Sequence, residues 1–360
     1  MNYLLGFIAG AALTALLVSP VRKLAFRIGA VDQVSKEKRK IHKRPIARAG
    51  GLAIATGFIV ISLALLGAVP AGYVGMVVAG LMVLGVGLAD DIRGVNPWIK
   101  LSVHIAAALV ACLGFGITID AVSNPFGQTI VFNTTTWSMQ LGSWSLSFNV
   151  LATILTVIWL VGMTNTMNLL DGLDGLSSGV AAIAAVIMFF VAVGPRVDQP
   201  STALIALVLA GCCIGYLVYN FYPASIFNGD SGAYFLGMTL GILAIFSGAK
   251  LATAMLVLGL PIIDTLWAVV RRIARGRSPF SADRGHIHYL LLDSGLAQWQ
   301  AVLVIYAFSV VFGVIALVAS SAQKLIAFGC LVLILSFLIM ALTLLSRRKA
   351  RPSTPKASSR

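Results

Sequence analysis

The stretch Asn165-Thr-Met-Asn-Leu-Leu-Asp-Gly-Leu-Asp-Gly-Leu176 closes an apolar segment that begins near residue 150. It holds two amides, two carboxylates and two glycines within twelve residues. A charged side chain in hydrocarbon costs at least ~2.5 kcal/mol on insertion scales. A chain keeps such a cluster where a cationic or polar partner compensates it. The polar side chains at 165, 168, 171 and 174 drift around a straight helix at about 100° per residue. Gly172 and Gly175 let the backbone break, so that these groups face one point. The segment reads as a membrane helix that ends in a binding turn.

Composition extends that reading to the whole chain. Of 360 residues, 59% are hydrophobic and 11% charged, with mean hydropathy +0.96. Soluble domains average about 25% charged residues, so this is an integral membrane protein. Asp and Glu together number 12, and Glu37 is the single glutamate, so each Asp carries information. Cys112, Cys212, Cys213 and Cys330 lie in apolar runs and read as small hydrophobes, with no disulfide or zinc pattern. The first segment, over 3–18, lacks a basic leading region and a small-residue cleavage site, and reads as a retained span.

A bilayer-crossing helix needs about 20 mostly apolar residues. Eleven stretches qualify: 3–20, 50–68, 71–89, 101–119, 150–167, 177–194, 202–219, 233–248, 251–270, 300–319 and 325–345. The expected architecture is therefore an all-α polytopic membrane protein of about 11 transmembrane helices, with its termini on opposite sides. A single catalytic domain is expected over 1–346, followed by a basic, disordered tail over 347–360 drawn to anionic lipid. A net charge of +14 would suit a nucleic-acid partner, but its distribution points to membrane topology instead. Of 26 Lys and Arg, 23 fall in loops 20–49, 90–100 and 271–299 and in the tail, leaving Arg196, Lys250 and Lys324 opposite. By the positive-inside rule the N-terminus is outside and the C-terminus cytoplasmic. In outer loop 120–149, Gln128-Thr-Ile-Val-Phe and Ser143-Trp-Ser-Leu-Ser-Phe alternate apolar and polar residues and predict a small β-hairpin outside the membrane.

That topology gathers the acidic motifs on the cytoplasmic side. Asp90-Asp91 ends an apolar segment, and two adjacent carboxylates repel each other unless a cation is near. Beside a metal or a phosphate, one can act as base and the other can position it. A cap paired with Arg93 would explain one of them. In Phe227-Asn-Gly-Asp-Ser-Gly232, Asp230 sits in a glycine-rich turn where a hard cation can approach; Mg²⁺ typically takes one or two carboxylates plus phosphate oxygens. Asp264 lies inside Leu260-Pro-Ile-Ile-Asp-Thr265, deeper than Arg271, and suits a partnership with another helix as well as direct chemistry. In Ser278-Pro-Phe-Ser-Ala-Asp-Arg-Gly-His-Ile-His-Tyr289, the i, i+2 spacing of His286 and His288 is poor for a metal pair. Beside Arg284, these histidines suit contact with a diphosphate. In loop 20–49 most cations read as topology charges, while Lys43, Arg44 or Arg48, near Gly50-Gly51, are placed to reach an anionic substrate.

Together Asp90-Asp91, Asn165-x-x-Asn-x-x-Asp-Gly-x-Asp-Gly, Pro223-Ala-x-x-Phe-x-Gly-Asp230 and the His-x-His loop resemble the polyprenyl-phosphate N-acetylhexosamine-1-phosphate transferases, in the same order along nearly the whole chain. The loop 278–288 is most similar to the branch that takes UDP-GlcNAc. It is less like the branch that takes UDP-MurNAc-pentapeptide, which carries a His-His-His run. Tyr289 stands where the first branch commonly has a further His, which leaves another UDP-N-acetylhexosamine open as substrate. The resemblance implies transfer of GlcNAc-1-phosphate from UDP-GlcNAc to undecaprenyl phosphate, giving UMP and undecaprenyl-diphospho-GlcNAc. This is the first membrane step of a cell-envelope polysaccharide such as a teichoic acid linkage unit or O-antigen. It implies Mg²⁺, with Mn²⁺ as a substitute, held by Asp230 with Asp91. It implies Asp90 and Asp91 as the catalytic pair, and Asn165, Asn168, Asp171, Asp174, Asn220 and Phe227 around the nucleotide. Arg284, His286 and His288 would contact the diphosphate or sugar. The expected location is the cytoplasmic face of a bacterial inner membrane, and a homodimer is compatible with it. The alternative of another class is a cation-coupled secondary transporter. It calls for binding groups near the midplane and paired halves, whereas here the carboxylates collect at one face.

Overall fold

The computed structural model describes residues 2–33, 44–122, 124, 127–132, 134, 136–141, 144–195, 197–247, 251–276, 278 and 285–349. The chain opens with helix α1 (Tyr3–Ile28), two short strands β1 (Val31–Asp32) and β2 (Ile46–Arg48), and helices α2 (Gly50–Leu65), α3 (Ala71–Arg93) and α4 (Pro97–Leu109), the last running into a π turn over Val110–Gly114. Strands β3 (Ala121–Val122), β4 (Ile130–Val131), β5 (Thr136–Leu141) and β6 (Trp144–Asn149) then precede α5 (Val150–Leu170), α6 (Leu176–Val193) and α7 (Pro200–Asn220). Strand β7 (Ile226–Phe227), α8 (Gly229–Phe246), α9 (Leu251–Val257), α10 (Gly259–Ala274), α11 (Ile287–Ser294), α12 (Gln298–Val318) and α13 (Ser321–Lys349) complete it.

Among the described residues nine helices are long and apolar enough to cross a bilayer. Two further elements fill the places of the remaining expected spans, each in altered form. Helix α2 has 16 residues, and α9 and α10 meet at a bend of 79°. The protein is a multi-pass membrane protein, as its composition predicts. Helix α8 is the most enclosed, with 83% of its apolar window buried, against 22% for α13. Its sequence, Gly-Asp-Ser-Gly-Ala-Tyr-Phe-Leu-Gly-Met-Thr-Leu-Gly-Ile-Leu-Ala-Ile-Phe, is apolar or small on every face beyond the first turn, the pattern of a helix surrounded by others. Helices α2, α3 and α5 pack around it, while α1 packs on α7 and α7 on α6.

The starts of α2, α4, α6 and α8 and the ends of α3, α5, α7 and α10 lie at one end of the bundle. A three-stranded sheet sits there, in the order β1-β2-β7. β1 runs antiparallel to β2, and β2 runs parallel to β7, with Arg48 opposite Phe227. It was not anticipated, because its strands are two or three residues long and come from segments nearly 180 residues apart.

The expected hairpin in 120–149 is present with a different partner. Strand β6 pairs with β5, placing Trp137 opposite Phe148, whereas Ile130–Val131 pairs with Ala121–Val122. Thr136-Trp-Ser-Met-Gln-Leu141 alternates as well as 128–132 does and lies nearer along the chain, so a tight turn closes it first. Helix α13 runs to Lys349, three residues into the expected tail, and 350–360 lie outside the described residues.

Candidate active site

Asp230 is the hub of the polar end. It occupies the first turn of α8, where Gly229 turns the chain with φ +74°. Its Oδ1 accepts from Asn168 Nδ2 at 3.1 Å and lies 3.2 Å from Arg48 Nη2. Its Oδ2 accepts from the Tyr234 hydroxyl at 3.0 Å and lies 3.4 Å from Lys100 Nζ. Asp90, on the last turn of α3, faces it. The two carboxyls are within hydrogen-bonding reach, and Lys100 Nζ also stands 3.1 Å from Asp90 Oδ1. Asp90 Oδ1 accepts the Val95 N–H at 2.7 Å as the chain leaves the helix. The side chains of Asp90 and Asp230 keep 14% and 13% exposure, so both remain reachable.

Asp91 does not share that exposure. Its side chain is 0% exposed, 3.4 Å from Arg48 Nη2, and both oxygens accept hydrogen bonds from the start of α8. Asp91, expected beside a metal or as base, is placed differently from its neighbour: the helical rotation between adjacent positions sends Asp90 to the open site and Asp91 into the α3–α8 contact. Arg48 binds both acids from the sheet. Burial opposes its charge, but Asp91 and Asp230 outweigh burial and hold its pKa above the ordinary value.

The turn after α5 joins from the other side. Asn168 reaches Asp230, and Asp171 accepts from Ser177 Oγ at the start of α6. Burial raises the Asp171 carboxyl to about 7. Asp174 Oδ2 accepts from Ala224 N at 2.9 Å, which ties this turn to the loop before β7. Phe227, partly exposed on β7, stands beside Arg48 through the strand pairing.

Several expected ligands are engaged within the protein. Asn220 is 3% exposed; its Nδ2 donates to Ile226 O at 2.9 Å and its Oδ1 accepts from Ser178 Oγ at 2.8 Å, so it fastens α6, α7 and β7 together. Asn165 donates to Val161 O at 2.8 Å, within its own helix, and lies 3.5 Å from His104 Nδ1. His286 Nδ1 lies 2.8 Å from Asp264 Oδ2, and its Nε2 lies 3.3 Å from Arg272 Nη2. A guanidinium only donates, so Nε2 accepts and Nδ1 donates to Asp264, whose Oδ1 takes the Ile287 N–H at 2.9 Å. His286, expected at the diphosphate, fastens α10 to α11 here, and Asp264 takes the helix partnership its sequence position allowed.

His288 stacks parallel to His286 with ring centroids 5.6 Å apart, packs on Gly172 and is 1% exposed. Among the described residues neither of its ring nitrogens has a hydrogen-bond partner, and burial lowers its pKa to about 4. Arg44 is exposed at the entry to β2, and Lys43 and Arg284 lie outside the described residues.

Sequence reasoning missed Lys100, Tyr234, Ser177 and Ser231. Lys100 was legible as a cation one loop after Asp90-Asp91 but was counted as topology; the hydroxyls carry no signal before the helices are packed.

The donor set suits a magnesium ion. Asp90 and Asp230 offer hard oxygen donors, and a cationic ammonium already bridges them. Among the described residues no three His, Cys, Asp or Glu side chains converge to form a complete cage. Two carboxylates with substrate phosphates suffice for this ion.

The chain matches glycosyl transferase family 4 over residues 73–248. It is 34% identical to a protein of Bacillus subtilis described as a probable undecaprenyl-phosphate N-acetylglucosaminyl 1-phosphate transferase, over 95% of this chain and 92% of that one. A Mycobacterium tuberculosis protein described as decaprenyl-phosphate N-acetylglucosaminephosphotransferase is 33% identical over 88% of this chain and 81% of its own. A Yersinia pestis undecaprenyl-phosphate alpha-N-acetylglucosaminyl 1-phosphate transferase is 26% identical over 79% and 75%.

Proposed function

The chain belongs to glycosyl transferase family 4, and from that membership we propose that it transfers N-acetylglucosamine 1-phosphate from UDP-GlcNAc to undecaprenyl phosphate. An oxygen of the acceptor phosphate forms a bond to the β-phosphorus of the nucleotide sugar. The bond from that phosphorus to the bridging oxygen breaks, and UMP leaves. Such a transfer between polyanions requires charge neutralisation and in-line positioning more than an unusual nucleophile.

The residues divide accordingly. Asp90, partly exposed and adjacent to the hub, takes the acceptor phosphate's proton. Arg48 and Lys100 offset phosphate charge. Asn168, the Asp171–Asp174 turn and Phe227 border the nucleotide. Asp230 and Asp90 are the residues that would hold Mg²⁺, which when bound supplies positive charge to the diphosphate. The charged end of the bundle is assigned to the cytoplasmic face, where a soluble nucleotide enters from water and the lipid phosphate arrives at headgroup depth.

One observation carries this reading. Arg48, Asp90, Lys100, Asn168 and Asp230, drawn from five separate elements, meet at one end of the bundle. Incubating purified protein with undecaprenyl phosphate, Mg²⁺ and a panel of UDP-sugars tests it. UMP release with UDP-GlcNAc is expected; release from no sugar of the panel refutes the reading, and release from another UDP-N-acetylhexosamine alone corrects the donor.

A further inference from the structure

The N-terminal turn of α8 is capped from another helix. The first backbone N–H groups of a helix lack intrahelical partners, and Asn228, at the N-cap, makes no side-chain cap bond. Asp91, 139 and 140 residues earlier in sequence, supplies the cap. Its Oδ1 accepts from Asp230 N at 2.9 Å, and its Oδ2 accepts from Ser231 N at 3.1 Å and from Ser231 Oγ at 2.8 Å. A carboxylate is favoured at a helix N-terminus, where the backbone carries partial positive charge.

The backbone is built for this contact. A Cβ at Gly229 would stand 2.4 Å from Asp91 Oδ2, and one at Gly87 would stand 2.5 Å from Ser231 N. Any side chain at either position would push α3 and α8 apart and pull the carboxylate off the helix start. With Arg48 on its remaining side and no exposed surface, the Asp91 carboxylate has no face left for substrate or ion.

We propose that Asp91 is a positioning residue: it holds the first turn of α8 so that the Asp230 carboxylate points at the cation and substrate. The adjacent acids thus do different work, Asp90 at the substrate and Asp91 through the backbone of Asp230. The inference rests on the reading of Asp230 as a ligand of the substrate-bound cation.

The test uses full-length protein in nanodiscs, with Mn²⁺ as the probe followed by electron paramagnetic resonance, and UMP release measured per folded protein. Asp91→Asn keeps one acceptor oxygen and loses the charge. It is expected to weaken Mn²⁺ binding by about 3- to 10-fold, far less than Asp230→Asn, because the ligand carboxylate is displaced but still present, while kcat falls ~10- to 100-fold. Ser231→Ala, which leaves the carboxylate intact, is expected to lower kcat by about 3- to 10-fold, and the double variant to be no worse than Asp91→Asn, as for two ends of one interaction. A residue that merely stabilised the fold would change the yield of folded protein and leave kcat alone.

The proposal is overturned if Asp91→Asn loses Mn²⁺ affinity as Asp230→Asn does, or if Ser231→Ala turns over like wild type. Should Asp91→Asn not be recovered folded, Ser231→Ala decides: lower kcat with Mn²⁺ affinity kept far above that of Asp230→Asn upholds the proposal. Asp230→Asn binding Mn²⁺ like wild type overturns the reading of Asp230 and the proposal with it, whereas failure of Asp91→Asn and Ser231→Ala to follow the expected pattern overturns the proposal alone.

Discussion

Lys100→Met removes a cation shared by Asp90 and Asp230. Its Nζ lies 3.1 Å from one and 3.4 Å from the other, on a side chain about one-fifth exposed. At an effective dielectric of about 20, each contact amounts to about 5 kcal/mol of Coulomb attraction before desolvation. Desolvation offsets much of that, and breaking a largely buried pair has a net cost of ~3 kcal/mol, because the acids are left uncompensated. In a chain of this length that lowers the unfolding midpoint by about 4 °C. A divalent ion between the same carboxylates supplies the missing positive charge, so added Mg²⁺ should raise the midpoint of Lys100→Met more than that of wild type. Thermal unfolding in detergent, with EDTA and then with Mg²⁺, measures both quantities. A variant that melts like wild type in EDTA, or gains no more from Mg²⁺ than wild type does, refutes the argument that these carboxylates form one cation site.

Asp230→Asn, which removes the hub carboxylate contacted by Asn168, Arg48, Lys100 and Tyr234, should lower UMP release by at least ~10³-fold while the protein still inserts; near-normal turnover would remove Asp230 from the site. Two pH slopes of opposite sign are expected. His288, lowered by burial from 6.5 to about 4, binds fewer protons folded than unfolded, so its contribution to stability falls as pH drops through that window. Asp171, raised by burial from 3.8 to about 7, binds more protons folded, so its contribution falls as pH rises through its window. Unfolding midpoints between pH 4 and 7 should therefore rise with pH in Asp171→Asn and fall with pH in His288→Asn, relative to wild type, and parallel slopes in the two variants would contradict the burial argument. For orientation, single cysteines introduced at Gly67 and Gly94, in a background where the exposed Cys330 is replaced, should react with an impermeant maleimide from outside and only after permeabilisation, respectively. The reverse pattern would invert the topology.

The acidic motifs were legible because aspartate is scarce and costly beside hydrocarbon. Asp90, Asn168, Asp171 and Asp230 each stand out from apolar surroundings, and the bias of Lys and Arg among the loops places them at one end without any packing information. The roles of neighbouring polar residues were not legible. Asp90 and Asp91 look equivalent on the page, and Asn220 and His286 look as available as Asn168, since a motif shows residue types and not which atoms are already bonded.

The one-dimensional pattern determined the membrane class, the approximate set of spans and the end at which the acidic motifs gather, because hydrocarbon excludes unpaired charge wherever the chain crosses it. The tertiary structure decided which carboxylate reaches open space, that Arg48 arrives on a small sheet and Lys100 from α4, and that Asp91, Asn220 and His286 are committed internally. Those outcomes depend on distances of about 3 Å between atoms from distant segments, and such distances exist only after the helices have packed.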